Sequence, residues 1–239
     1  EEQKNYPEAL RRYGEVDVGE QYLPAQIRTA QVLAKQGRLA EARAHLQQLS
    51  PSGNQQRVQL VLAEAQILRD ANQSKEAFAL VERALKGLPE NPDLLYDYAM
   101  LAEKIELFDV LESSLTKLIE LRPDHAHAYN ALGYALADRN LRLSEARELI
   151  EKAMKLAPED FFIMDSMGWV LYRMGNLEES MKYLQRAFTG RADPEIAAHM
   201  GEVLWASGKR AEAEKVLGDA AQKHPNNETL NNTIQRLKR

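Results

Sequence analysis

The chain has 239 residues and a formal net charge of −5, from 31 basic and 36 acidic residues. This mild acidity argues against nucleic-acid binding, which usually shows a concentrated basic face. Because cysteine is absent, the sequence excludes a disulfide framework, a thiolate metal site and a cysteine nucleophile.

Small residues recur along the sequence at a nearly constant interval. Ala30, Ala65, Ala99, Gly133, Gly168 and Gly201 are separated by 35, 34, 34, 35 and 33 residues. A period in the mid-thirties is typical of an array in which each repeat is a pair of helices and contacts only its neighbours. We expect each of these small residues to let the two helices of a pair approach closely.

This interval divides the chain into eight segments. Residues 1–22 are expected to form the second helix of a repeat whose first helix is missing, because their apolar residues recur at helical spacing. Six repeats follow at residues 23–57, 58–91, 92–125, 126–160, 161–193 and 194–227. Residues 228–239 have one apolar and one polar stripe, which predicts a capping helix. Its basic residues Arg236, Lys238 and Arg239 are expected to offset the dipole at the helix C-terminus.

Turn chemistry supports the same division. Gly37, Gly175 and Gly208 fall between the two helices of their repeats, where glycine can adopt the left-handed conformation. Asn72 takes this place in the second repeat, and asparagine is the next-best residue there. The turn of the third repeat, residues 106–109, contains no glycine, and the turn of the fourth repeat has one extra residue.

The third repeat departs from the pattern in its second helix as well. Leu111 and Leu118 occupy positions where alanine is usual. One interpretation is ordinary drift in a degenerate repeat, and the other is a bend or hinge between the two halves of the chain. We favour drift, because packing tolerates such exchanges of apolar residues.

The sequence offers no catalytic constellation. Its five histidines form no HExxH arrangement, and the chain contains no Walker loop, no GxGxxG and no GxSxG. The one close pair, His125 and His127, falls at a helix start, and we interpret both as solvated residues. We therefore predict a protein that is not an enzyme, with no catalytic residues, no cofactor and no metal.

A second stripe on the first helix of each repeat carries the candidate site. These positions are turned away from the partner helix and are rich in aromatic and polar residues. They comprise Tyr96, Met100, Asn130, Tyr134, Phe162, Asp165, Trp169, Tyr172, Arg173, His199, Glu202 and Trp205. Because Tyr, Trp and Met are enriched in interface cores, we interpret the stripe as a groove for an extended or helical peptide. Asp165, Arg173 and Glu202 are expected to form its polar rim.

The aromatic residues of this stripe have two interpretations. In one, the rings pack between adjacent first helices and stabilise the fold. In the other, they contact a bound peptide. The sequence favours neither for Tyr134 and Trp169, whereas it favours binding for Phe162, Tyr172 and Trp205.

Paired motifs identify the family. Leu132-Gly133-Tyr134 corresponds to Met167-Gly168-Trp169 one repeat later. Together with the period, this arrangement resembles the tetratricopeptide-repeat (TPR) family. The resemblance implies an all-α TPR solenoid, a right-handed superhelix of antiparallel helix pairs with a C-terminal capping helix. Of the residues with which one TPR subclass binds acidic chaperone C-termini, Asn130 alone matches and the lysines are absent, so we do not expect that mode.

The C-terminal half has a closer resemblance. Residues 136–139, 165–169 and 195–205 resemble a group of Gram-negative TPR outer-membrane lipoproteins that face the periplasm. This resemblance implies an adaptor that binds a carboxyl-terminal processing protease and presents it with cell-wall hydrolase substrates. The first half matches only as generic TPR repeats, and no functional residue carries over individually.

The resemblance also sets the expected location and partners. We expect a periplasmic protein that is anchored to the outer membrane in its full-length form, through a lipidated cysteine that is not in this chain. The partners would be proteins or peptides, including the protease and the hydrolases, and not nucleic acid. The alternatives are a cytosolic TPR module of another complex and the TPR part of a larger enzyme. The sequence leaves the oligomeric state open.

Overall fold

The computed structural model describes residues 5–237, so residues 1–4 of the first predicted segment and 238–239 of the predicted cap lie outside it. Within the described range the chain forms fourteen α-helices and no strand, which confirms the predicted all-α class. The helices fall into two compact units, Glu1–Leu121 and Arg122–Arg239.

The first unit contains the helices α1 to α7. They are α1 (Tyr6–Gly14), α2 (Tyr22–Lys35), α3 (Leu39–Gln47), α4 (Asn54–Asp70), α5 (Ser74–Gly87), α6 (Pro92–Lys104) and α7 (Phe108–Leu121). Turns of three residues join α2 to α3, α4 to α5 and α6 to α7, so each of these is an antiparallel pair. The helix α1 packs against α2. The helix α4 begins inside the range assigned to the preceding repeat, directly after the extended residue Gly53.

The second unit contains the remaining helices. They are α8 (Ala126–Asp138), α9 (Leu143–Leu156), α10 (Phe161–Arg173), α11 (Leu177–Gly190), α12 (Pro194–Ala206), α13 (Arg210–Lys223) and α14 (Glu228–Leu237). Three antiparallel pairs are again formed, and the turn from α8 to α9 has four residues where the others have three. The helix α14 packs against both α12 and α13. It buries Leu230 completely.

Small residues lie at the helix contacts of both units, as the sequence predicts. The alanines Ala30, Ala65 and Ala99 are fully buried. A methyl group added at Gly133 would lie 2.7 Å from Ile150 Cγ1 and 2.8 Å from the Ala146 carbonyl oxygen. At Gly168 it would lie 2.5 Å from Leu184 Cγ. At these points a side chain larger than hydrogen therefore forces a neighbouring side chain or the backbone to shift.

The turns adopt the conformation that their residues predict. Gly37, Gly175 and Gly208 have φ angles of 79°, 85° and 78°, and Asn72 has a φ of 58°. In the third repeat Glu106 occupies the same left-handed region, with a φ of 64°. For a residue with a Cβ atom this conformation costs about 1–2 kcal/mol.

Side chains cap the first helices of several pairs. The Asp160 carboxylate accepts a hydrogen bond of 2.8 Å from the Phe162 amide at the start of α10. His125 Nδ1 accepts one of 3.1 Å from the Ala128 amide at the start of α8. The interpretation of His125 as a solvated residue was therefore wrong, because its half-buried ring accepts a hydrogen bond from the first turn of α8 and so caps the helix.

Candidate functional site

Three neighbouring helices of the second unit bring a polar cluster together in the interior. His199 Nδ1 of α12 lies 2.9 Å from Asp165 Oδ2 of α10, and His199 Nε2 lies 3.3 Å from the Tyr134 hydroxyl of α8. The Trp169 ring stacks on the His199 ring, with centroids 4.3 Å apart. His199 and Asp165 are each 6% exposed and Trp169 is 3% exposed, so these three members of the cluster are closed to solvent.

The charges around His199 favour its protonated form. Burial disfavours an imidazolium and lowers its pKa, but the charge and hydrogen bond of Asp165 oppose this. The more distant carboxylates of Glu202 and Asp138 act in the same direction as Asp165, and the net effect raises the pKa of His199 above its ordinary value. A protonated His199 donates from Nδ1 to Asp165 and from Nε2 to the Tyr134 hydroxyl oxygen.

The predicted polar rim is wrong for two of its three residues. Asp165 is 6% exposed and Glu202 is 3% exposed, because each carboxylate is paired inside the unit. Asp165 pairs with His199, and Glu202 accepts a hydrogen bond from the Arg236 guanidinium of α14. Of the three predicted rim residues, only Arg173 reaches the surface, where it is half-buried.

Arg236 is the residue that sequence reasoning missed. It was expected to offset a helix dipole, but it neutralises a buried carboxylate on another helix. Arg236 and Glu202 are 34 residues apart, as are His199 and Asp165. Opposite charges separated by one repeat period are therefore the sequence signal that identifies both pairs.

The aromatic residues of the stripe divide into buried and accessible ones. The Trp169 ring is buried, so it packs inside the unit and is not available to a bound peptide. Its indole Nε1 has no hydrogen-bond partner among residues 5–237. Tyr134 is half-buried and contacts His199. Phe162 is 41% exposed, and Tyr172 and Trp205 are half-buried. The last three keep apolar surface that a ligand could contact.

Arginines lie over three of these rings. Arg191 is 4.6 Å from the Phe162 centroid, Arg173 is 5.7 Å from that of Trp169, and Arg210 is 5.2 Å from that of Trp205. A guanidinium over an aromatic face is attracted by the negative charge density of the ring. The contacts therefore hold the three cations at the edge of the aromatic surface.

Tyr172 lies between charged groups of both signs. Burial and then the Glu202 charge raise the pKa of its hydroxyl, whereas Arg236 and Arg173 oppose that shift. Its ring is 5.2 Å from that of Trp169. Tyr172 therefore lies beside the ion pair of Glu202 and Arg236, and Trp205 is one helical turn from Glu202 along α12.

Trp205 also borders a cleft in the second unit. The cleft lies between α13 and α14, and its apolar wall includes Leu217, Ala221 and Ile234. Glu214 also lines the cleft. The cleft offers space for an apolar side chain beside the Trp205 ring.

The other predicted residues have separate surroundings. Tyr96 and Met100 are half-buried on α6 of the first unit. Between them Asp97 accepts a hydrogen bond of 3.0 Å from Arg69. Burial raises the pKa of the Asp97 carboxyl, and the Arg69 charge opposes this. Asn130 is half-buried on α8, and its side-chain oxygen has no hydrogen-bond partner in the part of the chain that the structure describes.

Neither a metal site nor a membrane-spanning helix occurs among the residues that the structure describes. No group of three or more His, Asp or Glu side chains between residues 5 and 237 could hold a metal ion. Among the described helices, none combines the length and the apolar character that crossing a membrane requires.

Comparison with known proteins gives consistent matches. Sequence models of tetratricopeptide repeats match residues 2–65, 112–161 and 163–192, which together are more than half of the chain. A TPR repeat-containing protein of Pseudomonas aeruginosa is 45% identical over 202 residues, which is 84% of this chain. The mitochondrial import receptor subunit TOM70 of Rattus norvegicus is 26% identical over 145 residues, which is 58% of this chain. The chain spans 34% and 24% of the lengths of these two relatives.

A solved structure has the same fold. The crystal structure of a thermophilic TPR protein from Thermus thermophilus superposes with a TM-score of 0.67 at 23% sequence identity. The match covers 75% of this chain and 98% of that chain. At this level of identity the likeness concerns the fold alone.

Proposed function

The chain belongs to the tetratricopeptide-repeat family of protein-interaction scaffolds, and we propose that the surface around Tyr172 and Trp205 binds a segment of a partner protein. One observation carries this proposal. These two rings keep part of their area accessible beside arginines, whereas the ring of Trp169 is buried. Aromatic and arginine side chains are the types that dominate the energetics of protein interfaces.

We infer that the role is structural recognition and not catalysis. The chain of hydrogen bonds from Tyr134 through His199 to Asp165 has the connectivity of a proton relay. His199 and Asp165 are almost fully buried, however, so a substrate would not reach them. The cluster instead ties α8, α10 and α12 together beneath the proposed surface.

For the partner, we propose a carboxyl-terminal processing protease together with its cell-wall hydrolase substrates. The support is the resemblance of residues 136–139, 165–169 and 195–205 to periplasmic TPR lipoproteins. The last two segments contain the members of the buried cluster on α10 and α12, and the third ends at Trp205. In this proposal the full-length protein is held at the outer membrane by a lipidated cysteine outside this chain.

The binding surface is tested by replacing Tyr172 and Trp205 with alanine together. Truncation of an aromatic anchor typically costs about 2 kcal/mol or more of binding free energy. The double variant should therefore lose partner recovery in co-purification from cell envelopes. Tyr183→Ala is the matched control, since Tyr183 is a half-buried aromatic residue on α11, away from this surface.

Circular dichroism must show unchanged helicity in both variants. Full partner recovery by a folded double variant would eliminate the proposed surface. Recovery of other proteins in place of a protease or a cell-wall hydrolase would refute the proposed partner while leaving the surface in place. Labelling of the full-length protein with a radioactive fatty acid tests the lipid anchor, and absence of label would contradict it.

A further inference from the structure

The proposed surface is more positive than the unit that carries it. The second unit contains 17 basic and 17 acidic residues. Around Tyr172 and Trp205, however, stand the guanidinium groups of Arg173, Arg210 and Arg236. The Glu202 carboxylate beneath them is 3% exposed and already paired with Arg236. The exposed Glu214 side chain also borders the surface, so three guanidinium groups and one further carboxylate stand beside the two rings. What this surface presents to solvent is therefore mainly cationic and aromatic.

Two of these arginines have no acidic partner within the described residues. Arg173 and Arg210 form no ion pair between residues 5 and 237, although Glu214 lies one helical turn after Arg210. Each guanidinium instead lies over an indole ring. A guanidinium held in this way keeps the N–H groups of its edge available for a planar carboxylate.

Other surface arginines of the same unit are arranged differently. Arg147 lies 2.8 Å from the Glu151 carboxylate, and Arg186 lies 3.5 Å from that of Glu159. These cations are satisfied by neighbouring side chains. Arg173 and Arg210 differ from them in two ways. Neither has an acidic partner among the described residues, and each lies over a tryptophan ring at the aromatic surface.

We propose that the segment bound at this surface is acidic, with carboxylates that pair with Arg173 and Arg210 and an apolar side chain that enters the cleft beside Trp205. The proposal rests on the proposed function and specifies the chemistry of the partner. A basic segment would be repelled by the arginines, and a purely apolar one would remove them from water without a counter-charge. The arrangement differs from the lysine scheme for chaperone tails, because here the cations are arginines seated on indole rings.

The test uses three fluorescein-labelled peptides with a central Leu-Phe pair. The pair is flanked on both sides by Glu-Glu, Ser-Ser or Lys-Lys. Fluorescence anisotropy with the whole chain should show that the Glu peptide binds about tenfold more tightly than the Ser peptide, and that the Lys peptide binds more weakly than both. Raising the salt concentration from about 0.05 to about 0.5 M should weaken the Glu peptide most, because it screens exposed charges.

Charge reversal identifies the residues responsible. The double variant Arg173→Glu and Arg210→Glu should weaken the Glu peptide about tenfold or more and remove its advantage over the Ser peptide. Arg147→Glu with Arg186→Glu is the matched control and should leave binding unchanged. If the first variant unfolds, Arg173→Lys with Arg210→Lys takes its place. It keeps both positive charges but loses the planar pair of N–H donors, so a smaller loss of affinity than on charge reversal is expected.

The outcomes separate this proposal from the function on which it depends. Equal binding of all three peptides, lost on replacing Tyr172 and Trp205 with alanine, would overturn the acidic preference and leave the binding surface standing. Failure of the Glu peptide to bind would overturn the proposal directly. Self-association that disappears in the Arg173→Glu and Arg210→Glu variant would assign the surface to a second copy, whose first unit has 14 basic and 19 acidic residues, and would also overturn it.

Discussion

The two units place different residues at the same position of the helix pair. The first uses alanine, as at Ala65, and the second uses glycine, as at Gly133 and Gly168. Both choices are buried, but at the two glycines a leucine or isoleucine of the facing helix lies where an added methyl group would clash. The second unit therefore achieves its helix contacts by close approach, which makes it the less tolerant of added volume.

The buried ion pairs of the two units also differ, in how far each partner is exposed to solvent. In the first unit the buried Glu64 carboxylate accepts hydrogen bonds of 2.9 Å from Arg43 and 2.8 Å from Gln47, and the Arg43 side chain is 29% exposed. In the second unit both members of the pair between His199 and Asp165 are almost fully buried. The arginine of the first pair thus remains near water, as does Arg236 in its pair with Glu202, whereas neither His199 nor Asp165 does.

The largest expected effect is the loss of a buried charge partner. Asp165→Asn removes the buried carboxylate that hydrogen-bonds His199 and favours its protonated form, which should reduce the free energy of unfolding by about 3–5 kcal/mol. The equivalent change in the first unit, Asp97→Asn, leaves Arg69, whose side chain is 32% exposed and can be hydrated. Its cost should be about 1 kcal/mol. Urea denaturation of both variants measures the difference.

Equal losses in those two variants would contradict the distinction between the units. Circular dichroism at low denaturant must first show that each variant is folded. A loss confined to Asp97→Asn would reverse the comparison, and would place the more sensitive pair in the first unit.

The next effect concerns the glycine contacts. Gly133→Ala brings a methyl group to 2.8 Å from the Ala146 carbonyl oxygen, and backbone cannot move aside as a side chain can. Overpacking of this kind costs about 1–3 kcal/mol. Gly218→Ala is the matched control, because it lies within α13 with nothing within 4 Å of an added methyl group. That change should stabilise the protein by up to about 1 kcal/mol. Thermal unfolding distinguishes the two signs, and a stabilising Gly133→Ala would show that the helices are not held so closely.

The smallest effect is a pH dependence that belongs to the second unit. The pKa of His199 is raised in the folded protein above the ordinary value of about 6.5. Its contribution to stability is therefore complete below that value and is lost as the pH rises through the folded pKa. The difference in unfolding free energy between the protein and His199→Asn should shrink as the pH increases. A difference that grows with pH would mean that His199 is neutral in the folded state.

The features that sequence reasoning predicted depend on residues within one repeat. Gly37 and Asn72 adopt left-handed turns because of their own backbone preferences, and Gly168 lies at a contact with the helix that follows directly. The buried ion pairs were not predicted, because each joins residues of neighbouring repeats. Helical spacing also does not distinguish depth, so Asp165 and Phe162 lie on one predicted stripe although the first is buried and the second exposed.

Because the two tryptophans have different surroundings, their fluorescence can monitor the second unit. They are the only tryptophans in the chain. Trp169 is enclosed and stacked on His199, so its emission should be blue-shifted and should change when the helices separate. Trp205 retains contact with solvent, so its emission should be red-shifted and sensitive to an added quencher. Protection of Trp205 from the quencher, with Trp169 unchanged, would register occupancy of the surface without any label.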